Sequence, residues 1–174
     1  RLKNTNGAGM VMVTPSLIQG KMLLWKEALT KRFNEIRNKV LTKPRRIQEL
    51  KNKIFKIHKK IYNQHNPKEK KYKIKNDKGG LIDIEFLVQF FVLMYSTKHQ
   101  NLLSNTGNLA LINALEGYQL IKSKESTLLK KAYLLYRQEI HKLALNNQTN
   151  SLVDRGLIEN LPHEVHQCFM SYLS

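Results

Sequence analysis

The residues best suited to chemistry are two acidic side chains, Asp83 and Glu85, which follow the paired glycines Gly79 and Gly80. On a β-strand, residues two apart point to the same side, so an acid-x-acid triplet can bind one metal ion. On an α-helix the same two residues lie about 200° apart, and their carboxylates diverge. Because a strongly apolar segment with a helical pattern follows, we predict a helix here and no shared metal ion.

A structural role for the triplet follows from its place at the start of that helix. Asp83 comes after glycines and before an apolar run, so we predict that it is the N-cap residue and accepts a free backbone N–H. Glu85 would lie in the first turn, where an acidic side chain interacts favourably with the helix dipole. A polar role beside a site formed by other residues stays open for both.

The histidines do not form a metal-binding pattern. Only His163 and His166 are close in sequence, and no cysteine or carboxylate lies at ligand spacing from them. His141 lies one helical turn after Arg137, so we expect the two side chains to share a face as a surface pair. The sequence has no phosphate-binding Gly-x-x-x-x-Gly-Lys loop and no Gly-x-Ser-x-Gly nucleophile motif. The residues alone therefore predict a helical module without a complete active site.

The net charge of +17 is concentrated in one part of the chain. Residues 43–78 contain fourteen basic and three acidic residues, which is +11 of the total. A basic segment can be a solvated helix face, a surface for an acidic protein, or a nucleic-acid site. Lysine outnumbers arginine here, and lysine lacks the planar fork that recognises phosphates and bases. We favour the solvated face, with an acidic partner next and nucleic acid unlikely.

Length and composition limit the remaining classes. A chain of 174 residues fits one domain, or one domain with an appendage, and its hydrophobic content of 41% argues against disorder. Gln89 interrupts the longest apolar run, which is shorter than the roughly 18 residues of a membrane span. One cysteine excludes an internal disulfide framework, and we expect no secretory signal. We expect a cytoplasmic protein, and the first residue, Arg1, suggests a missing upstream segment.

Apolar periodicity predicts an all-α bundle of five to six helices with one short N-terminal strand at Met10–Val13. A long helix should run from the Thr14-Pro15-Ser16 start signal to Val40, and a second should begin after Pro44. The second helix has a narrow apolar seam that consists of Ile47, Leu50, Ile54, Ile57 and Ile61. Later helices are predicted at Asp83–Thr97, from Ser104 to Gly117, at Ser123–Asn146, and briefly after Pro162.

Three segments together resemble one known family, glutamine synthetase adenylyltransferase. Residues 1–14, RLKNTNGAGMVMVT, are similar to its Arg-Leu-Arg-Pro-Ser-Gly…Gly-Leu-Leu-Val segment. Residues 72–96, YKIKNDKGGLIDIEFLVQFFVLMYS, resemble its Gly-Gly-Ile-x-Asp-Ile-Glu-Phe block closely. Residues 132–145, AYLLYRQEIHKLAL, are similar to its Tyr-x-x-x-Arg-x-x-x-His-x-Leu-Ala-Leu helix. The related PII uridylyltransferases carry a Gly-Gly-Leu-Arg-Asp version, so DIEFLVQ favours the adenylyltransferase.

This resemblance implies a fold, an activity and partners. It implies the C-terminal part of a two-unit enzyme, in which a polymerase-β-like nucleotidyltransferase domain precedes each helical bundle. That enzyme uses Mg²⁺ and ATP to transfer AMP to a tyrosine of glutamine synthetase, or removes it, and so controls nitrogen assimilation. The metal-binding carboxylates would lie upstream of Arg1, so this chain should be inactive alone. Residues 1–42 would end the nucleotidyltransferase domain with a connecting helix, and residues 43–174 would form the C-terminal bundle.

The resemblance also implies which residues lie near the nucleotide. No residue of this chain would be catalytic or bind metal, and the nucleotide-proximal candidates are Arg1, Lys3, Gly79, Gly80, Asp83, Glu85, Arg137 and His141. The implied partners are glutamine synthetase, the upstream nucleotidyltransferase domain and the PII signalling protein. A non-catalytic binding module for glutamine synthetase or PII is the main alternative, and a basic nucleic-acid-binding domain is the other.

The chain departs from the family pattern at several polar positions. Lys73 stands where the family has an aspartate, and Ala110 stands where it has an arginine. The family's tryptophan- and arginine-rich segment is shortened here to Trp25–Leu29. These changes preserve the apolar periodicity and remove polar groups, which is typical of a retained scaffold with relaxed chemistry.

Overall fold

A computed structural model describes residues 27–62, 71–104, 107–148 and 150–174. The predicted strand at Met10–Val13, the candidates Arg1 and Lys3, and the start of the first long helix lie outside these ranges. Within them the protein is an all-α bundle, which confirms the predicted fold class. The described helices are α1 (Glu27–Leu41), α2 (Ile47–Tyr62), α3 (Leu81–Tyr95), α4 (Asn108–Gly117), α5 (Ser123–Leu145), α6 (Arg155–Ile158) and α7 (Leu161–Leu173).

Helix α3 is the centre of the bundle, as its nearly continuous apolar sequence predicts. It packs against α2, α4, α5 and α7. Its buried side chains include Ile84, Leu87, Val88 and Phe91, each at most 2% exposed. A helix that is apolar on all sides must be covered on all sides, and the surrounding helices are amphipathic. The other elements are therefore arranged around α3.

Helix α2 follows its predicted seam only in part, since Ile57 and Ile61 are half-buried. Leu50 and Ile54 are buried as expected, but Ile47 is 46% exposed. The third buried residue of the helix is His58, which is one turn beyond Ile54 and 3% exposed. The buried face of α2 thus places the imidazole ring of His58 against α3. Because this ring is polar and buried, it needs a hydrogen-bonding partner there. The side chains of Lys53, Lys56, Lys59 and Lys60 are exposed, in keeping with a solvated lysine face.

A two-stranded antiparallel sheet was not predicted from the sequence. Strand β1 (Tyr72–Lys73) pairs with β2 (Leu152–Val153), with Tyr72 opposite Val153. Strands of two residues are too short to show the alternating pattern on which strand prediction depends. This ladder holds the segment before α3 against the segment before α6, so it helps to fix the loop that contains the glycine pair.

The observed helices begin a few residues away from their predicted first residues, because backbone contacts differ from the sequence signals. Helix α3 begins at Leu81, two residues before its predicted start. A 3₁₀ turn at Gln100–Leu103 precedes α4, which begins at Asn108 instead of Ser104. Helix α7 is longer than the predicted short element, and Pro162 lies in its first turn, where a missing N–H is harmless.

Candidate functional site

The carboxylate of Asp83 is the centre of a buried polar cluster. Asp83 is 0% exposed and accepts four hydrogen bonds. Its Oδ1 accepts from His58 Nε2 at 2.7 Å and from the Tyr62 hydroxyl at 2.6 Å, both from α2. Its Oδ2 accepts from the Gly79 backbone N–H at 2.8 Å and from His166 Nδ1 of α7 at 3.1 Å. One carboxylate therefore joins α2, α3, α7 and the glycine loop.

The hydrogen bonds determine the charge state of Asp83. Burial alone would raise the pKa of this carboxyl, because it penalises the charged form. The hydrogen bonds from His166, His58 and Tyr62 together outweigh burial and hold the pKa below its ordinary value. Burial and, after it, the Asp83 carboxylate raise the pKa of the Tyr62 hydroxyl, which remains protonated and donates. Asp83 is thus an ionised acceptor inside the protein.

Asp83 is not the N-cap residue of α3, so that part of the prediction is wrong. The N-cap is Gly80, which has no side chain to offer, and Asp83 is the third residue of the helix. The first two helical N–H groups, those of Leu81 and Ile82, donate to the carbonyls of Ile74 and Lys75 at 2.9 and 3.1 Å. Because the preceding loop supplies these acceptors, the Asp83 carboxylate is available to the buried histidines.

The glycine pair allows the backbone of the loop to pass close to two other backbone segments. Gly79 has φ of +79°, and a Cβ at this position would lie 1.7 Å from the carbonyl oxygen of Pro162. A Cβ at Gly80 would lie 2.7 Å from the carbonyl oxygen of Ile74. Neither position can accept a side chain without movement of the neighbouring backbone. The glycines are required by α7 and by the loop itself.

Two tyrosine hydroxyls hold the same loop from other sides. The buried Tyr136 of α5 donates to the carbonyl of Gly79 at 2.9 Å. Tyr72 of β1 donates to the carbonyl of Lys78 at 2.9 Å. Asp83 accepts from the N–H of Gly79, and Tyr136 donates to its carbonyl. Both backbone polar groups of this glycine are therefore hydrogen-bonded to side chains. The loop is thus preorganised by side chains of the bundle itself.

Glu85 faces a different environment from Asp83, as the helical geometry predicts. Glu85 is half-buried, and burial raises the pKa of its carboxyl. Arg137 of α5 and Lys75 of the loop act in the opposite direction on the same group. Arg137 Nη2 in turn lies 3.4 Å from His141 Nε2, which confirms the expected pair, although the contact is long for a hydrogen bond. Arg137 and His141 are exposed.

The described acidic residues at this site do not fit a divalent metal ion. Both oxygens of Asp83 already accept two donors each. Glu85 is influenced by two cationic side chains, which oppose the approach of another cation. Among the described residues no group of three or more His, Cys, Asp or Glu could hold a metal ion. We therefore derive no chemical step through a metal bound by these residues.

The structure brings together most of the described candidates and adds residues that the sequence did not reveal. Gly79, Gly80 and Asp83 form one hydrogen-bonded unit, and Glu85, Arg137 and His141 form an adjoining polar group on α3 and α5. Sequence reasoning missed His58, Tyr62, Tyr136 and His166. Only His58 had a signal, since it continues the buried line of Leu50 and Ile54 in α2. His166 is 83 positions from Asp83, and no local pattern links them.

Comparison with protein families places this helical chain in a nucleotidyltransferase family. Residues 45–160 match a family model described as GlnD PII-uridylyltransferase. The match includes α2 to α6 and the glycine loop. Since it covers well over half of the chain, the chain belongs to the family that this model describes.

The similar curated proteins are more specific, and they confirm the resemblance drawn from the double-glycine block. Two are the bifunctional glutamine synthetase adenylyltransferase/adenylyl-removing enzymes of Burkholderia mallei and Burkholderia pseudomallei, each 34% identical over 122 residues, or 70% of this chain. The protein of the same name from Nitrosomonas eutropha is 28% identical over 154 residues, or 88% of this chain. The matched regions are 13% of the Burkholderia proteins and 16% of the Nitrosomonas protein, so the chain spans a small part of their length.

Two further features of the described residues bear on function. None of the helices in the described ranges is both long and apolar enough to cross a membrane. Of the family departures, Lys73 lies half-buried in β1, and Ala110 is exposed on α4. Neither position adds a polar group to the Asp83 cluster.

Proposed function

We propose that this chain is the helical part of an enzyme that transfers AMP between ATP and a tyrosine of glutamine synthetase. The observation that carries the proposal is the preorganised Gly79-Gly80 loop, which lies inside the segment matched by the family. A loop held on both sides by buried groups provides a rigid surface, and binding at such a surface requires little ordering.

The roles of individual residues follow from their contacts. Gly79 and Gly80 are buried and let the loop pack against Pro162 and Ile74, so they shape the proposed nucleotide-proximal loop from within, and Asp83 positions the loop from inside the bundle. Glu85, Arg137 and His141 form the accessible polar surface beside it, where Arg137 is suited to phosphate groups by its planar donors. Arg1 and Lys3 are proposed to lie at the nucleotide as well, on the segment that ends the nucleotidyltransferase domain.

The chemistry itself is proposed to depend on a separate nucleotidyltransferase domain. Residues 1–42 would connect to that domain and residues 43–174 would form the bundle. ATP and Mg²⁺ would bind to carboxylates outside this chain, because Asp83 and Glu85 are engaged as described above. The enzyme would act in the cytoplasm on glutamine synthetase, with the PII protein as a regulatory partner.

A chimeric enzyme tests this proposal. The matched segment of the Nitrosomonas eutropha relative is replaced by this chain, and transfer of labelled AMP from ATP to glutamine synthetase is measured. We expect the chimera to transfer AMP and this chain alone to transfer none. A folded chimera without activity contradicts the proposed function. Transfer by this chain alone contradicts the placement of the metal-binding carboxylates outside it.

A binding role without catalysis is the second candidate. It is supported by the polar positions that this sequence has replaced, Lys73 and Ala110. It predicts that the chain alone binds glutamine synthetase, measured by analytical ultracentrifugation, while the chimera described above transfers no AMP. Binding together with an active chimera supports the first candidate.

A further inference from the structure

The guanidinium of Arg45 lies where the C-terminal ends of two helices converge. Arg45 follows α1 in the short connection to α2. Its Nη2 donates to the carbonyl of Val40 at 2.7 Å, and its Nη1 donates to the carbonyl of Leu41 at 3.0 Å, both in the last turn of α1. The same Nη1 lies 2.8 Å from the carbonyl of Lys43 and 3.4 Å from that of Leu93 in the last turn of α3.

In this arrangement Arg45 supplies hydrogen-bond donors to backbone carbonyls at the C-terminal ends of helices. The last carbonyls of a helix have no partner within it, and they carry the negative end of the helix dipole. A cation at one such end is favourable, and Arg45 binds the end of α1 while its charge also lies close to the end of α3. The planar guanidinium can reach several carbonyls in fixed directions, which an ammonium group cannot do.

A second side chain supports the same junction. Ser96, the C-cap residue of α3, is 0% exposed, and its hydroxyl donates to the carbonyl of Leu41 at 3.1 Å. Leu41 itself is 1% exposed and belongs to the hydrophobic core. Side chains from the α1–α2 connection and from α3 thus both bind the end of α1. We name the group formed by Leu41, Arg45 and Ser96 the α1 joint.

We propose that Arg45 is a positioning residue, which holds α1 in one direction relative to the bundle and so sets where the catalytic domain stands over the Gly79-Gly80 loop. This inference rests on the proposed function, because it takes α1 to be the connection to the nucleotidyltransferase domain. The central helix α3 begins beside the glycine loop and ends at the α1 joint. A change in the direction of α1 would therefore move the catalytic groups relative to the loop while both parts remain folded.

The direction of α1 is measured on this chain alone, without any activity. Spin labels are attached at Glu35→Cys on α1 and Lys131→Cys on α5, two exposed positions, in a Cys168→Ala background, and the distance distribution is recorded by pulsed electron paramagnetic resonance. We expect a narrow distribution for the unmutated joint and a broader one for Arg45→Lys, which keeps the charge and loses the fork. Arg46→Lys is the matched control, since Arg46 is 86% exposed and pairs only with Glu49 among the described residues.

Ser96→Ala provides a second variant if Arg45→Lys does not fold, because it removes one hydroxyl and little volume. We expect it to broaden the distribution as well. Distributions for Arg45→Lys and Ser96→Ala that are as narrow as that of the unmutated chain would overturn the proposal.

The consequence for catalysis is measured in the chimera. Arg45→Lys should lower kcat for AMP transfer by about 10-fold or more with little change in KM for ATP, because misplacement of reacting groups affects the transition state more than ground-state binding. Arg46→Lys should leave both constants unchanged. A chimera with the Arg45→Lys change and an unaltered kcat would overturn the positioning role. An inactive unmutated chimera contradicts the proposed function instead, and the distance measurement still decides whether the α1 joint is rigid.

Discussion

At the scale of single residues, one buried carboxylate determines the character of the candidate site. Asp83 is acidic, fully buried and surrounded by donors from three other parts of the chain. A buried charge is tolerated only when its hydrogen-bonding capacity is met, and here both oxygens are satisfied. Removal of the acceptor would leave several buried donors without a partner, which costs more than the loss of one hydrogen bond.

Substitution of Asp83 should therefore destabilise the bundle strongly. We expect Asp83→Ala to lower the free energy of unfolding by about 3 to 5 kcal/mol. Asp83→Asn should cost less, about 1 to 3 kcal/mol, because one acceptor oxygen remains while the amide meets donors. Urea denaturation measures both, with the exposed Asp154→Asn as the control. An Asp83→Ala protein as stable as that control would contradict the assigned role of the cluster.

The stability of the protein should also depend on pH through Asp83. The pKa of this carboxyl is lower in the folded protein than its ordinary value of 3.8. The ionised form is therefore favoured by folding, and its contribution is complete above the unfolded pKa. It is lost as pH falls below about 4 and through the folded pKa. Urea midpoints measured from neutral pH to about pH 2.5 should fall less steeply for Asp83→Asn than for the unmutated chain.

At the scale of elements, the loop before α3 depends on its two glycines and on the helix that packs against it. Gly79 is in the left-handed region of backbone conformation, and Pro162 at the start of α7 occupies the space of a side chain. The β1–β2 ladder holds both neighbours in place. Loop, ladder and helix thus form one structural unit.

A methyl group at Gly79 should disrupt this unit. We expect Gly79→Ala to cost about 3 kcal/mol or more, because strain and a clash with backbone atoms act together. Gly156→Ala is the control, since a Cβ there meets nothing within 4 Å, and it should be neutral or stabilise α6 by about 0.5 to 1 kcal/mol. Thermal melts followed by circular dichroism compare the two. Equal melting temperatures for both variants would show that α7 moves aside without cost.

At the scale of the whole molecule, one hydrophobic core connects the helices. Buried side chains from α1 to α7 belong to a single cluster that has α3 at its centre. We expect the chain to unfold in one cooperative transition, with coincident curves from far-ultraviolet circular dichroism and tyrosine absorbance. Separate transitions for the two signals would indicate that part of the bundle folds independently.

The basic surface makes a second prediction at this scale. The net charge of +17 should give weak binding to duplex DNA that falls steeply with salt and shows no sequence preference. The exposed lysines of α2 lack the arginine and aromatic groups that read bases. Fluorescence anisotropy at several salt concentrations provides the measurement. Tight binding above physiological salt, or discrimination between sequences, would favour the nucleic-acid hypothesis.

The features that could be predicted before the structure are those that depend on neighbours along the chain. Periodic apolar residues predicted the helices and the central place of α3, and the double-glycine block predicted the family. These signals are local, because a helix repeats every few residues and a glycine motif is contiguous. The divergence of Asp83 and Glu85 followed from helical geometry alone.

The role of Asp83 became clear from the packing of the helices. Its partners His58 and His166 lie 25 and 83 positions away, and Tyr136 reaches Gly79 across 57 positions. The N-cap interpretation was reasonable locally and wrong because carbonyls of the preceding loop already bind the first helical N–H groups. The role of a buried carboxylate is set by whichever donors the packed helices bring within about 3 Å, and no spacing in the sequence encodes that distance.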